Sequence, residues 1–69
     1  MKPMKITLNG ADHEIAGTMP LDRLLESLGL SGKPVVVELD ESAVFPRDYS
    51  QTEVSDGARI EVVTLAAGG

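Results

Sequence analysis

The residues best suited to chemistry are the last two, Gly68 and Gly69. They are reached through Thr64-Leu65-Ala66-Ala67 after a strand-like run, Arg59-Ile60-Glu61-Val62-Val63. Two readings fit such an end. One is a frayed terminus, because chain ends tolerate small residues. The other makes the terminal carboxylate the reacting group, since a stalk without Cβ atoms can approach a nucleotide or thread a narrow channel. On that reading Gly69 bears the reacting carboxylate, Gly68 permits close backbone approach, and Leu65, Ala66 and Ala67 complete an insertion segment. Leu65 to Gly69 fully extended spans roughly 17 Å, enough to reach into a partner's cleft. Such a segment is expected to be mobile when free and ordered when bound.

Little else in the chain offers reactivity. Cysteine is absent, which excludes a disulfide framework, a thiolate metal site and a thiol nucleophile. One histidine, His13, cannot build a histidine metal centre. Asp12 and Glu14 flank it, but strand neighbours point to opposite faces, so the three do not form a ligand set. No nucleophile–base pair is evident. The net charge of -5 and a pI near 4.5 disfavour nucleic acid and favour a protein partner with a basic docking face. No signal-peptide h-region and no apolar run of membrane-spanning length is visible, so the expected location is the cytoplasm, away from any membrane.

The elements that must hold this tail are legible from periodicity. The 69 residues suit one small domain that buries about 60% of its unfolded surface, too little for a deep internal active site. Lys5-Ile6-Thr7-Leu8 alternates as a half-buried strand, Asn9-Gly10 signals a hairpin, and Asp12 to Ala16 forms the return strand. Leu21, Leu24, Leu25 and Leu28 draw one apolar helical stripe. Pro20 suits the first turn, Asp22 complements the helix dipole, and Gly29 the C-terminal cap with Leu30 folding back onto Leu25. Val35 to Leu39 is the most β-prone run, with Val35, Val37 and Leu39 facing the helix. Asp40-Glu41-Ser42 reads as a turn, Ala43 to Phe45 as a short strand halted by Pro46, and Arg47 to Ser50 as a turn or single helical turn. Glu53 to Gly57 reads as a connection. The final strand places Ile60 and Val62 inward and Arg59, Glu61, Val63 and Leu65 outward.

One amphipathic helix covering one sheet face gives an α+β two-layer domain. The expected fold is a β-grasp, or ubiquitin-like, mixed sheet of four to five strands on one helix. The connection from the hairpin through the helix to Val35–Leu39 is expected to run right-handed into a parallel neighbour. The domain is expected over 1–64 and the tail over 65–69.

In the order and spacing of Phe45-Pro46-Arg47, Asp56-Gly57-Ala58-Arg59-Ile60-Glu61-Val62-Val63 and Gly68-Gly69, the chain resembles the ThiS family, the sulfur carriers of thiamin (thiazole) biosynthesis. Leu24-Leu25-Glu26 and Leu28-Gly29-Leu30 also look like that family's helix. Departures are the longer Asp40-Glu41-Ser42-Ala43 turn without glycine, Phe45, Tyr49 and Ala58; none touches the tail. The resemblance implies a protein cosubstrate rather than an enzyme. An E1-like adenylyltransferase (ThiF-like) would adenylate the Gly69 carboxylate with ATP, and a sulfur donor such as a cysteine desulfurase would convert it to a thiocarboxylate. A thiazole synthase (ThiG-like) would receive the sulfur. No permanently bound cofactor is implied. Val36 and Val63, with Leu65, are candidates for an apolar docking patch or are scattered surface aliphatics. Arg59 and Arg47 either assist docking or are simply solvated. The alternatives are a carrier for molybdopterin synthase or cysteine synthesis, and a ubiquitin-like modifier joined to lysines.

Overall fold

The computed structural model describes residues 3–65. Its elements are β1 (Met4–Leu8), β2 (Ala11–Ile15), β3 (Met19–Pro20), α1 (Leu21–Ser27), β4 (Val35–Leu39), β5 (Ser42–Val44), a 3-10 helix (Pro46–Gln51), β6 (Glu53–Val54) and β7 (Arg59–Thr64). Five strands form one mixed sheet in the order β2-β1-β7-β4-β5, and β3 pairs with β6 in a two-stranded ribbon. Helix α1 packs on one face of the large sheet, which is the β-grasp arrangement read from the sequence. Among the described residues no helix is long and apolar enough to cross a membrane.

The core follows the two periodicities. Ile6, Ile15, Val37, Ile60 and Val62 from the sheet meet Leu21, Leu24 and Leu25 from the helix, with Val54 and Ala58 closing the ends. Leu21, Leu24, Val37, Val54 and Ile60 are wholly inaccessible to solvent. At the helix C-terminus Gly29 takes φ 76°, which lets its N–H donate to Glu26 O (3.0 Å) and Leu30 N–H to Leu25 O (2.9 Å). The leucine stripe and its cap thus form as the spacing requires.

Four expectations need correction. The strand after the helix does not become a parallel neighbour of the hairpin: β4 pairs antiparallel with β7 and β5. The parallel pair is β1 with β7, Thr7 opposite Arg59 and Leu8 opposite Ile60, because the last strand inserts between the hairpin and β4. Pro20 lies outside the helix. Its ψ of 149° is extended, and it pairs with Glu53 across β3–β6. The β4–β5 turn is two residues, Asp40 and Glu41, both at positive φ (50° and 72°), so Ser42 starts the strand and Phe45 falls beyond its end. Finally, Glu53 and Val54 form a strand within the expected connection.

Candidate functional site

The strand that leads to the tail is the centre of the sheet, and it is held on both sides. On the β4 side the ladder runs from Leu39–Ile60 through Val37–Val62 to Val35–Thr64. It continues one step further, with Leu65 N–H donating to Pro34 O at 2.9 Å. On the β1 side the backbone pairing ends where the hairpin turns, and the side chain of Asn9 takes over. Asn9 adopts φ 50°, which swings its amide towards β7. Val62 N–H donates to Asn9 Oδ1 at 2.8 Å, Asn9 Nδ2 donates to Val62 O at 3.2 Å, and Asn9 N–H donates to Ile60 O at 2.9 Å. One amide thus imitates a missing strand residue. The sequence signalled only a turn at Asn9, because its bond partners lie more than fifty residues away.

Of the candidate site residues, Gly69, Gly68, Ala67 and Ala66 lie outside the described residues. Leu65 stands at the end of the sheet, 51% exposed. Val36 and Val63 are directly opposite one another on β4 and β7 and point away from the helix, 47% and 57% exposed. Strand alternation puts Leu65 on the same face as Val63. Phe45 joins this group: Val44 packs against the core, so its neighbour turns outward, 56% exposed, with the Arg47 guanidinium 5.5 Å from its ring centroid. The sequence placed Phe45 only as the end of a short strand; the alternation of Val44 and Phe45 was the available signal. Arg59 is on the same face but at the opposite end of β7, about 13 Å from Val63 at 3.3 Å per residue. Its N–H donates to Asp40 Oδ1 at 2.9 Å, and its carbonyl accepts from Asp40 N–H at 2.7 Å.

Two residue pairs along from Val36–Val63, on the same face, Glu38 and Glu61 also face each other across β4 and β7, both exposed. Among the described residues the ion pairs are Lys5–Asp12 and Arg47–Asp48, so neither glutamate has a cationic partner there. On the helix side, a cleft of about 90 Å³ lies between α1, the following loop and β4, lined by Leu25, Leu30, Lys33, Val35 and Tyr49 among others. The Tyr49 hydroxyl is buried without a hydrogen-bond partner, and desolvation raises its pKa above the usual tyrosine value. His13 pairs with Ile6 on the inner side, while Asp12 and Glu14 alternate to the outer one. Among the described residues no group of three His, Cys, Asp or Glu side chains is placed to hold a metal ion. The described residues thus present an exposed apolar group on the outer sheet face and a last strand hydrogen-bonded on both sides.

Comparison with known proteins gives a consistent picture. Residues 6–69 match the ThiS family. The chain is 33% identical over 66 residues to the thiazole synthase of Paramagnetospirillum magneticum and 35% identical over 66 residues to that of Magnetococcus marinus. Each of these alignments takes in 96% of this chain but only 20% of the relative, so the chain spans a fifth of their length. Among solved structures, the crystal structure of the thiamine biosynthesis protein ThiS from Geobacter metallireducens is similar with a TM-score of 0.83 at 28% identity. That match covers 96% of this chain and 100% of the other.

Proposed function

Because this chain belongs to the ThiS family of sulfur carriers in thiamine biosynthesis, we propose that the carboxylate of Gly69 is the group that takes up and delivers sulfur. A carboxylate resists nucleophiles through its negative charge and poor leaving group. Attack of one of its oxygens on the α-phosphorus of ATP releases pyrophosphate and leaves an acyl adenylate, whose AMP departs readily. The outer sulfur of a persulfide on a donor protein such as a cysteine desulfurase then displaces AMP to give an acyl disulfide. A thiol cleaves its S–S bond, releasing the thiocarboxylate and leaving the donor cysteine in a disulfide with that thiol. An E1-like adenylyltransferase (ThiF-like) performs the activation, and a thiazole synthase (ThiG-like) receives the sulfur. The chain itself is the cosubstrate.

The observation that carries this reading is the extent of the family match, which runs through β7 and on to Gly69. The fold supports it: β7 is fixed at Val62 by Asn9 and at Leu65 by Pro34, a rigid base for a glycine-ended arm. Similarity to two thiazole synthases over a fifth of their length supports that enzyme as the receiving partner and favours thiazole formation over other destinations for the sulfur. Val36 and Val63, with Leu65 and Phe45, form the apolar contact. Arg59 would meet the partner's margin at the far end of the face. Gly68, Ala67 and Ala66 would thread towards the partner's reaction centre.

The test is intact-protein mass spectrometry after incubation with the adenylyltransferase, ATP and a sulfur source. Wild type should gain the mass of one oxygen-to-sulfur exchange. The chain lacking Gly69 should not, while melting at the same temperature. A thiocarboxylate on the shortened chain, or none on the wild type, would refute the reading.

A further inference from the structure

The Asn9-Gly10 turn does more than reverse the chain. Asn9 is the one asparagine of the sequence, and a glycine follows it. Such a pair is chemically labile, because a glycine without Cβ leaves its backbone nitrogen unhindered beside the preceding amide carbon. Both residues are exposed, and nothing lies within 4 Å of the place where a Gly10 Cβ would stand. Among the described residues the Gly10 N–H donates to no acceptor. The nucleophile is therefore free and exposed. The electrophile is what the fold holds: the Asn9 amide points sideways to β7, its Oδ1 accepting the Val62 N–H at 2.8 Å and its Nδ2 donating to Val62 O at 3.2 Å. The Asp56-Gly57 turn differs. There Asp56 Oδ1 accepts from Lys5 N–H at 2.8 Å and Gly57 N–H donates to Lys5 O at 2.8 Å, so both reacting groups are occupied.

We propose that Asn9 is a site of spontaneous deamidation held in check by the fold, so that opening of the β1–β7 contact marks the chain irreversibly. When Asn9 swings off β7, base removes the Gly10 amide proton and the nitrogen attacks Asn9 Cγ. A C–N bond forms, the Cγ–Nδ2 bond breaks, and Nδ2 leaves as ammonia with the proton, giving a five-membered succinimide. Water then opens that ring at either carbonyl and leaves aspartate or isoaspartate. The net change consumes water and releases ammonia, with nothing oxidised or reduced. Neither product restores the brace. Aspartate sets a carboxylate oxygen against the Val62 carbonyl where a donor had been, two acceptors with no proton between them. Isoaspartate also routes the main chain through its side-chain carbon, lengthening the turn that holds Leu8 opposite Ala11. Val62 stands near the end of β7, so the loss falls on the strand from which residues 66–69 continue. None of this depends on what the chain's end carries.

The experiment follows the full chain by intact-protein mass spectrometry and peptide mapping in mildly alkaline buffer, folded and in unfolding guanidinium chloride. Folded wild type should undergo amide-to-acid exchange at Asn9 at least about tenfold more slowly than the unfolded chain, since the reaction waits on local opening. Equal rates would overturn the proposal, because the bonds to Val62 would then guard nothing. So would an unfolded chain that keeps its Asn9 amide, or isoaspartate accumulating at Asp56 ahead of Asn9 in the folded chain. Asn9→Asp makes one product directly and still tolerates positive φ. It should keep the wild-type circular dichroism and melt about 5 °C lower at neutral pH. Melting at the wild-type temperature would overturn the claim that deamidation removes the brace. The wild-type rate comparison needs no variant, so it decides the protection claim however Asn9→Asp folds.

Discussion

Tyr49 contributes its ring to the edge of the core, and its hydroxyl is buried without a hydrogen-bond partner. A buried polar atom in that state costs free energy that a matching apolar group does not. Tyr49→Phe should therefore leave stability unchanged or raise it by about 1 kcal/mol. Desolvation raises the Tyr49 pKa, so the folded state holds the phenolic proton more tightly than the unfolded state. That contribution is whole below the unfolded pKa near 10.0 and is lost as pH rises through the higher folded value. Urea titrations near neutral pH and above about pH 10 should show an alkaline loss in wild type that the phenylalanine variant lacks in part. A clear destabilisation by Tyr49→Phe would mean the hydroxyl is satisfied after all. This role was hidden in the sequence, where Tyr49 stood in a stretch read as a turn or a single helical turn, the second of which the 3-10 helix bears out. The 3-10 helix from Pro46 to Gln51 has no apolar periodicity to announce it.

At the scale of elements, the strands and the helix with strong periodicity were legible, and short pieces fixed by distant partners were not. The alternation in Val35–Leu39 and Arg59–Val63 gave both the strands and the faces on which Val37, Ile60 and Val62 are buried. The leucine stripe gave the helix. By contrast β3 and β6 are two residues each, too short for any alternation, and exist because Met19 and Val54 pair across the end of α1. Val54 is nonetheless completely buried, one of the least accessible residues of the core. Val54→Ala should cost about 2 kcal/mol, read from chemical denaturation. A loss below about 0.5 kcal/mol would mark the β3–β6 ribbon as dispensable. The candidate site divided in the same way. The outward set Val36, Val63 and Leu65 followed from alternation, whereas the Glu38–Glu61 opposition depends on the register of β4 with β7, which no local pattern encodes.

For the whole molecule, the decisive feature is that its first and last strands are parallel neighbours at the middle of the sheet. Thr7 pairs with Arg59 and Leu8 with Ile60, so the sheet closes through contacts far apart in the chain. The parallel pairing was misassigned in the sequence because helix-then-strand order favours a simple crossover, and only the arrival of β7 displaces it. Loop closure over such separations slows folding. Stopped-flow refolding should therefore fall in the roughly millisecond-to-second range of domains dominated by non-local pairing, and microsecond refolding would contradict the topology as described.

The position of β7 also bears on which copies of the protein can complete the fold. This strand follows every other described element in the chain, so it is the last of them to be synthesised. A copy whose synthesis stops before residue 59 has β1–β2 and β4–β5 as two hairpins with nothing between them, and an isolated hairpin is marginal in water. Such a product is expected to be cleaved by a protease faster than the full chain, which limited proteolysis would check. The last described strand is thus the keystone that turns two separate hairpins into one sheet.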